Sequence, residues 1–271
     1  MDAFQAIVLG IVQGLTEFLP ISSTGHLRIV PAFAGWDDPG AAFTAVTQLG
    51  TMAAVLLYFR HDLWRIFIAW TRSLGDREVR RTLDARLGWF IVLGTIPIGV
   101  FGLIFKDQIE EGARSLYLIG SALIVLGLLL LLAEKVATHE RPLERINRRD
   151  AIVIGFAQAC ALVPGVSRSG ATLTAGMFLG FDRPSAARYS FLLSVPAVVL
   201  SGLFELRKIG DEGGAGVVPT AIATLLAFIV GYATIAFLLR WLTSHSTAIF
   251  VAYRVLLGAL VIGLTATGAI S

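Results

Sequence analysis

Two short stretches of this chain hold the side chains able to do chemistry. The first contains Gln13, Glu17, Ser22, Ser23, Thr24, Gly25 and His26, and the second contains Gly165, Ser167, Arg168, Ser169, Gly170 and Thr172. Gln13 and Glu17 are spaced i,i+4 and share one face of a helix, as do Ser22 and His26. If the two stretches meet, one carboxylate, one imidazole, one guanidinium and several hydroxyls share a small space. That set suits an anionic phosphate. Arg168 offers a planar fork of donors matched to phosphate oxygens. A helix starting after each Pro-Ser turn presents free N–H groups and the positive end of its dipole. Ser and Thr hydroxyls add donors, and Gly25, Gly165 and Gly170 allow close backbone approach. Glu17 and His26 exceed what binding alone needs. A carboxylate beside a phosphate repels it unless it orients a base, holds a metal or takes a proton, so the mixture points to catalysis.

Plainer roles compete for the same residues. Ser22 and Ser167 have the sequence context of ordinary helix N-caps. His26 can be a satisfied structural histidine, and Glu17 and Arg168 can be members of structural ion pairs. His61, His139 and His245 sit at span ends or in basic loops and Arg188 begins the fourth span, so all four read as interfacial, while Glu205, Arg207 and Arg240 fit snorkelling. Arg254, well inside the last apolar segment, is harder to dismiss; it either pairs with a carboxylate or faces the cavity.

The segments that must position these residues repeat. Ala6–Gln13 reads AIVLGIVQ and residues 151–158 read AIVIGFAQ, and each copy runs into a loop of proline, serine and glycine. The register holds into the loops, where Ser22 matches Ser167 and Gly25 matches Gly170. Of the 271 residues 56% are hydrophobic and 15% charged. The mean hydropathy is +0.77. This is the composition of an integral membrane protein rather than a soluble domain. The net charge of +3 does not argue for a nucleic-acid partner, because the basic residues sit between apolar segments. Cys160 is the only cysteine, which excludes an internal disulfide. The first apolar segment carries Glu17 and runs into a Pro-Ser loop, unlike a cleaved signal peptide.

Apolar segments over residues 41–59, 87–105, 115–133, 186–206, 217–239 and 247–269 are long enough to cross a bilayer, which takes ~20 helical residues. Residues 1–18 and 151–163 are apolar for too short a run before their breaks, and a second short helix follows each, over 22–34 and 168–181. Both pairs read as re-entrant helix-loop-helix hairpins, tolerated only where irregular backbone is buried in protein or lines a wet cavity. The expected fold is all-α, with six transmembrane helices and two such hairpins in one membrane domain over 1–271. Arginines fill the connection 60–86, and basic residues also fill 134–150. The positive-inside rule makes both cytoplasmic. The opposite loop, 106–114, carries Asp107, Glu110 and Glu111. One hairpin and an odd number of spans per half then place the halves, about 1–135 and 150–271, in opposite orientation. This is an inverted-topology repeat whose hairpin tips can meet near the midplane.

At the two tips, QGLTEFLPISSTGHL over 13–27 and PGVSRSGAT over 164–172, the chain resembles the undecaprenyl-diphosphate phosphatase family, also called bacitracin-resistance proteins. The resemblance extends over the whole chain in length, hydropathy and repeat layout. It implies an enzyme of the bacterial plasma membrane, its site opening to the external side, that removes the terminal phosphate of a C55 polyprenyl diphosphate and recycles the lipid carrier for wall polymers. It implies a divalent cation, Mg2+ or Ca2+, with Glu17 as metal or base residue. The family's catalytic histidine falls on His26, its phosphate-binding arginine on Arg168, and its motif serines on Ser22, Ser23, Ser167 and Ser169. The family has Glu or Gln at the position of Gln13, so here Glu17 is left to act without a second carboxylate. Glu17 holds the cation or orients His26; the nucleophile is a water activated by both, His26 itself, or Ser23. The expected partners are the polyprenyl diphosphate and membrane lipid, not nucleic acid, with a homodimer left open. A transporter or flippase of an isoprenoid phosphate is the rival reading, in which Glu17 and His26 serve ion coupling.

Overall fold

The structure, a computed structural model, describes residues 1–105, 115–205 and 215–270. The acidic loop 106–114, Arg207 and the side chain of Glu205 lie outside the described residues. The described residues form α1 Ala3–Thr16, α2 Ser23–Ala34, α3 Gly40–Tyr58, α4 Arg60–Arg72, α5 Leu83–Ile104, α6 Leu116–Val136, α7 Arg148–Cys160, α8 Arg168–Phe178, α9 Arg183–Glu205, α10 Val217–Ser244 and α11 Ala248–Ala266. Among them there is no β-strand; one isolated bridge joins Arg141 and Phe181. Six helices, α3, α5, α6, α9, α10 and α11, are long and apolar enough to cross a membrane. The chain is an all-α integral membrane protein.

Burial runs opposite to that of a soluble bundle. Leu103, Val125, Leu128, Leu200, Leu225 and Leu256 face outward, whereas Gln13, Thr47, Gln48, Gln158, Thr172 and Arg254 are buried. Lipid is as apolar as leucine, so nothing drives leucines inward, while polar groups must find partners inside the protein.

The helices of the two matched pairs are short. α1 has 14 residues, α2 has 12, α7 has 13 and α8 has 11. At 1.5 Å per residue none exceeds roughly 21 Å, short of a ~30 Å hydrocarbon core. α1 is started by a capping box between Asp2 and Gln5, and α7 by one between Asn147 and Asp150. α1 packs on α10, and α7 packs on α5. The contacts centre on matched glycines of the repeat. A Cβ at Gly10 would stand 2.6 Å from the Ala223 carbonyl oxygen, and one at Gly155 would stand 2.7 Å from that of Gly94. Only glycine permits this approach, the usual device for helix association in lipid.

The connection 60–86 is not the plain basic loop its arginines suggest. Residues Arg60–Arg72 form a helix in which Ile66 is buried while Trp64 and Phe67 are exposed. Leu63, Ile66, Phe67 and Trp70 recur at helical spacing beneath the arginine count. The Arg188 guanidinium, expected to be merely interfacial, pairs with Asp62 at 2.6 Å and ties α9 to this helix. Arg183 pairs with Glu134, which also accepts from the Thr247 backbone N–H and hydroxyl, so α6, α9 and the start of α11 are joined at one end.

Candidate active site

The two breaks between short helices are built alike. Ser22 caps α2 and Ser167 caps α8, each accepting from the glycine N–H three residues on, at 3.3 Å from Gly25 and 3.1 Å from Gly170. Both caps have positive φ, 77° for Ser22 and 72° for Ser167, a region that a residue with a side chain enters at about 1–3 kcal/mol. Each cap hydroxyl also lies beside a second hydroxyl, Ser22 to Thr24 at 3.3 Å and Ser167 to Ser169 at 3.2 Å. Capping is therefore a real role of both serines, and each cap pairs its hydroxyl with a second one at the head of a buried helix.

The breaks meet. The Arg168 guanidinium donates from Nη2 to Glu17 Oε1 at 2.5 Å. Glu17 Oε2 accepts from the Ser23 hydroxyl at 2.6 Å and from Gln13 Nε2 at 2.8 Å. Ser169 donates to the Leu19 carbonyl at 3.1 Å, closing the tip-to-tip contact from the other side. Gln48 of α3 accepts a weaker bond from Arg168 at 3.3 Å. Both acceptors of the guanidinium thus engage Nη2. Among the described residues Nη1 and Nε make no further hydrogen bond.

Arg254 resolves the alternative left by its position. It is fully buried and pairs with no carboxylate among the described residues. Its donors reach backbone carbonyls instead: Leu123 at 3.1 Å and Ala122 at 3.3 Å on α6, Pro20 at 2.9 Å in the first break, and Gly165 and Val166, each at 3.0 Å, in the second. A guanidinium fork satisfies carbonyls that the broken helices leave orphaned, and converging carbonyl dipoles offset its charge. Gly165 has φ 91°, and a Cβ there would lie 2.6 Å from the Ile119 carbonyl oxygen. A Cβ at Gly170 would lie 2.9 Å from Arg254 Nη1, and one at Gly25 3.2 Å from Ile119. These three glycines serve the seam where the breaks lie against α6 and Arg254.

The residues read from sequence divide into two groups. Gln13, Glu17, Ser23 and Arg168 form one bonded cluster, with Ser22, Thr24, Ser167 and Ser169 at the caps beside it. Thr172 is turned away; its hydroxyl is held by the Arg168 carbonyl at 2.8 Å and Ser190 Oγ at 2.5 Å. His26 is bonded to the Ser22 carbonyl and to Tyr253, and makes no bond to Glu17 among the described residues. Sequence reasoning passed over Gln48 and Tyr253. A lone amide in the apolar run 41–59 was a usable signal for Gln48; a tyrosine beside an arginine carried none.

A divalent cation fits the donor chemistry. Among the described residues no three His, Cys, Asp or Glu side chains gather into a metal site. The cluster nevertheless supplies the Glu17 carboxylate, the Ser23 hydroxyl and Gln13 Oε1, which is buried without a partner among the described residues. One carboxylate with neutral oxygens suits a hard cation that completes its shell with phosphate oxygens and water.

The family model described as bacitracin resistance protein BacA matches residues 6–260. The chain belongs to this family. Similar proteins named undecaprenyl-diphosphatase occur in Nocardioides sp., 56% identical over 100% of this chain and 99% of the relative, and in Thermobifida fusca, 53% identical over 100% and 93%. A further one, from Myxococcus xanthus, is 54% identical over 100% of this chain and 92% of its own length. Within this BacA family chain both motif stretches fall inside the matched range, so the cluster described above belongs to the shared part of the sequence.

Proposed function

We propose that this chain hydrolyses the terminal phosphate of undecaprenyl diphosphate, yielding undecaprenyl phosphate and inorganic phosphate, and so recycles a lipid carrier for cell-wall synthesis. The observation that carries this reading is the line Ser23–Glu17–Arg168. A hydroxyl 2.6 Å from a carboxylate stands beside a guanidinium with donors to spare. Nucleophile, base and anion-stabilising group lie within one hydrogen-bonded cluster.

In the reaction Arg168, through Nη1 and Nε, and the N–H groups at the heads of α2 and α8 take the charge of the diphosphate and the charge that develops on transfer. Glu17 accepts the Ser23 proton as Ser23 Oγ attacks the terminal phosphorus. The bond from that phosphorus to the bridging oxygen breaks, and undecaprenyl phosphate leaves. Water then attacks that phosphorus and its proton passes to His26 and on to solvent; the bond from phosphorus to Ser23 Oγ breaks as Glu17 returns the proton to Ser23, and inorganic phosphate leaves. Glu17, Gln13 and Ser23 would hold Mg2+ or Ca2+, and the cation when bound neutralises phosphate charge as a Lewis acid. Ser22, Thr24, Ser167 and Ser169, at the two caps, shape the anion pocket, while Gly25, Gly165 and Gly170 let the breaks close against α6 and Arg254 behind it. Thr172 supports it from behind.

The halves about 1–135 and 150–271 are an inverted repeat of one membrane domain with re-entrant hairpins. The basic connections face the cytoplasm of a bacterial plasma membrane, the site opens to the external leaflet, and the lipid tail lies between spans. The matched Ser22 and Ser167 caps, one from each half, also suit a carrier that moves an isoprenoid phosphate. Inorganic phosphate release from C55 diphosphate by purified protein in detergent, with magnesium, calcium or EDTA, separates the two, since no transport is possible there. Release abolished in Arg168→Ala is the expected result; no release from folded wild type with any cation overturns the phosphatase reading in favour of the carrier.

A further inference from the structure

We propose that Tyr253 is a positioning residue for His26, holding its imidazole in one tautomer and one orientation through both protonation states. The inference rests on His26 taking part in the reaction proposed above. His26 is 5% exposed, and each ring nitrogen has one partner. Nδ1 lies 2.7 Å from the Ser22 carbonyl oxygen and Nε2 lies 2.7 Å from Tyr253 Oη. A carbonyl oxygen only accepts, so Nδ1 keeps its hydrogen whether the ring is neutral or charged. Nε2 is therefore the nitrogen that gains and loses the working proton.

Its partner must follow that change. Against neutral imidazole the Tyr253 hydroxyl donates to Nε2; against imidazolium Nε2–H donates and the phenol oxygen accepts. A hydroxyl meets both demands by giving its hydrogen to Nε2 in one state and taking one on the same oxygen in the other, whereas an ionised carboxylate or an ammonium meets only one. The rings are near parallel, with 8° between planes and 5.6 Å between centroids, which fixes the plane of the imidazole as well. Glu17, the other acid–base group, is engaged by Gln13, Ser23 and Arg168. The neighbouring Arg254 explains why the phenol arrives there. Its guanidinium is anchored in both breaks, which sets the register of α11 against the head of α2. Tyr253 itself is 43% exposed, so its ring is not needed to fill the core.

The test is a double-mutant cycle of Tyr253→Phe and His26→Gln in the full chain, read as phosphate release from C55 diphosphate in detergent. Tyr253→Phe keeps the ring and removes only the hydroxyl. Its elution and thermal midpoint should match wild type. A positioned acid–base group contributes roughly 10²–10⁴-fold. Tyr253→Phe should therefore lower kcat about 10-fold with KM unchanged, and should add nothing in the His26→Gln background. NMR of the chain labelled with 15N-imidazole histidine gives a second readout: the Nε2 resonance of His26 moves in Tyr253→Phe while Nδ1 does not. Equal losses in both backgrounds, a raised KM at unchanged kcat, or an unmoved Nε2 resonance overturn the proposal. If wild type releases no phosphate yet Nε2 still moves, the phosphatase reading has failed and the role falls with it, while the contact stands.

Discussion

Glu17 and Arg168 are separated by 151 positions in the chain and meet at 2.5 Å, joining the two broken hairpins through one ion pair. The side chains are 7% and 15% exposed, so the pair is largely shielded from solvent. A buried pair of this kind is weak support for stability by itself, because desolvation offsets its attraction. Its value lies in aiming a guanidinium and a carboxylate at one spot.

Arg168→Ala should lower kcat by on the order of 10²–10³ in phosphate-release assays, the scale of losing one donor to a developing negative charge. Arg168→Lys keeps the charge and loses the fork. It should recover only part of that rate.

Ser23 and Glu17 act as one unit in the mechanism above. Ser23→Ala and Glu17→Gln should each reduce turnover by about 10³ or more, and the double variant should be little worse than either alone. Additive losses in single-turnover assays would separate the two residues and return the choice to a water nucleophile.

Arg254→Met removes the shared donor of five carbonyls across α6 and both breaks. Unsatisfied buried groups cost about 1–3 kcal/mol each, so the loss should reach at least about 3 kcal/mol even after partial relaxation. Thermal unfolding in detergent checks it. Arg254→Lys should unfold between the two, since an ammonium has fewer donors and no fork.

Gly165→Ala faces both an unfavourable φ of 91° and a 2.6 Å approach to the Ile119 carbonyl. It should destabilise the protein by about 2 kcal/mol or more, whereas Gly99→Ala, which meets open space, should lose no more than about 0.5 kcal/mol. The same melts measure the difference.

Gln13→Glu would place a second carboxylate beside Glu17, where Gln13 Oε1 has no partner among the described residues. The Mg2+ or Ca2+ concentration giving half-maximal phosphate release should fall, and EDTA should abolish release in both forms. An unchanged cation requirement would remove Gln13 from the metal's surroundings.

Much of the architecture was legible because lipid imposes a simple rule. A segment must be long and apolar to cross, so the spans could be counted, and residues 41–59 reappear as Gly40–Tyr58. The Pro-Ser breaks were equally plain, since irregular backbone amid apolar residues has few uses. Helix α4 was hidden for the opposite reason: its arginines masked an apolar face at helical spacing. Gln13, Glu17, Ser23 and Arg168 could be named in advance as rare polar groups in apolar surroundings. Their pairing could not. Glu17 lies on the same short segment as His26 yet bonds to Ser23 and Arg168, while His26 turns to Tyr253 on the last helix.

Residue order alone settled which groups are available and that two matched breaks carry them, because hydropathy, helix-breaking and repetition are local properties. Folding decided what each group touches. Arg254 illustrates the difference: its charge and depth were evident from the chain, but whether a carboxylate or a set of carbonyls answers it depends on which elements cross there. That crossing brings Pro20, Ala122 and Gly165 within reach of one guanidinium. It is fixed by the packing of α6 and α11, whose small residues permit close approach, and no pattern within either segment specifies its partner.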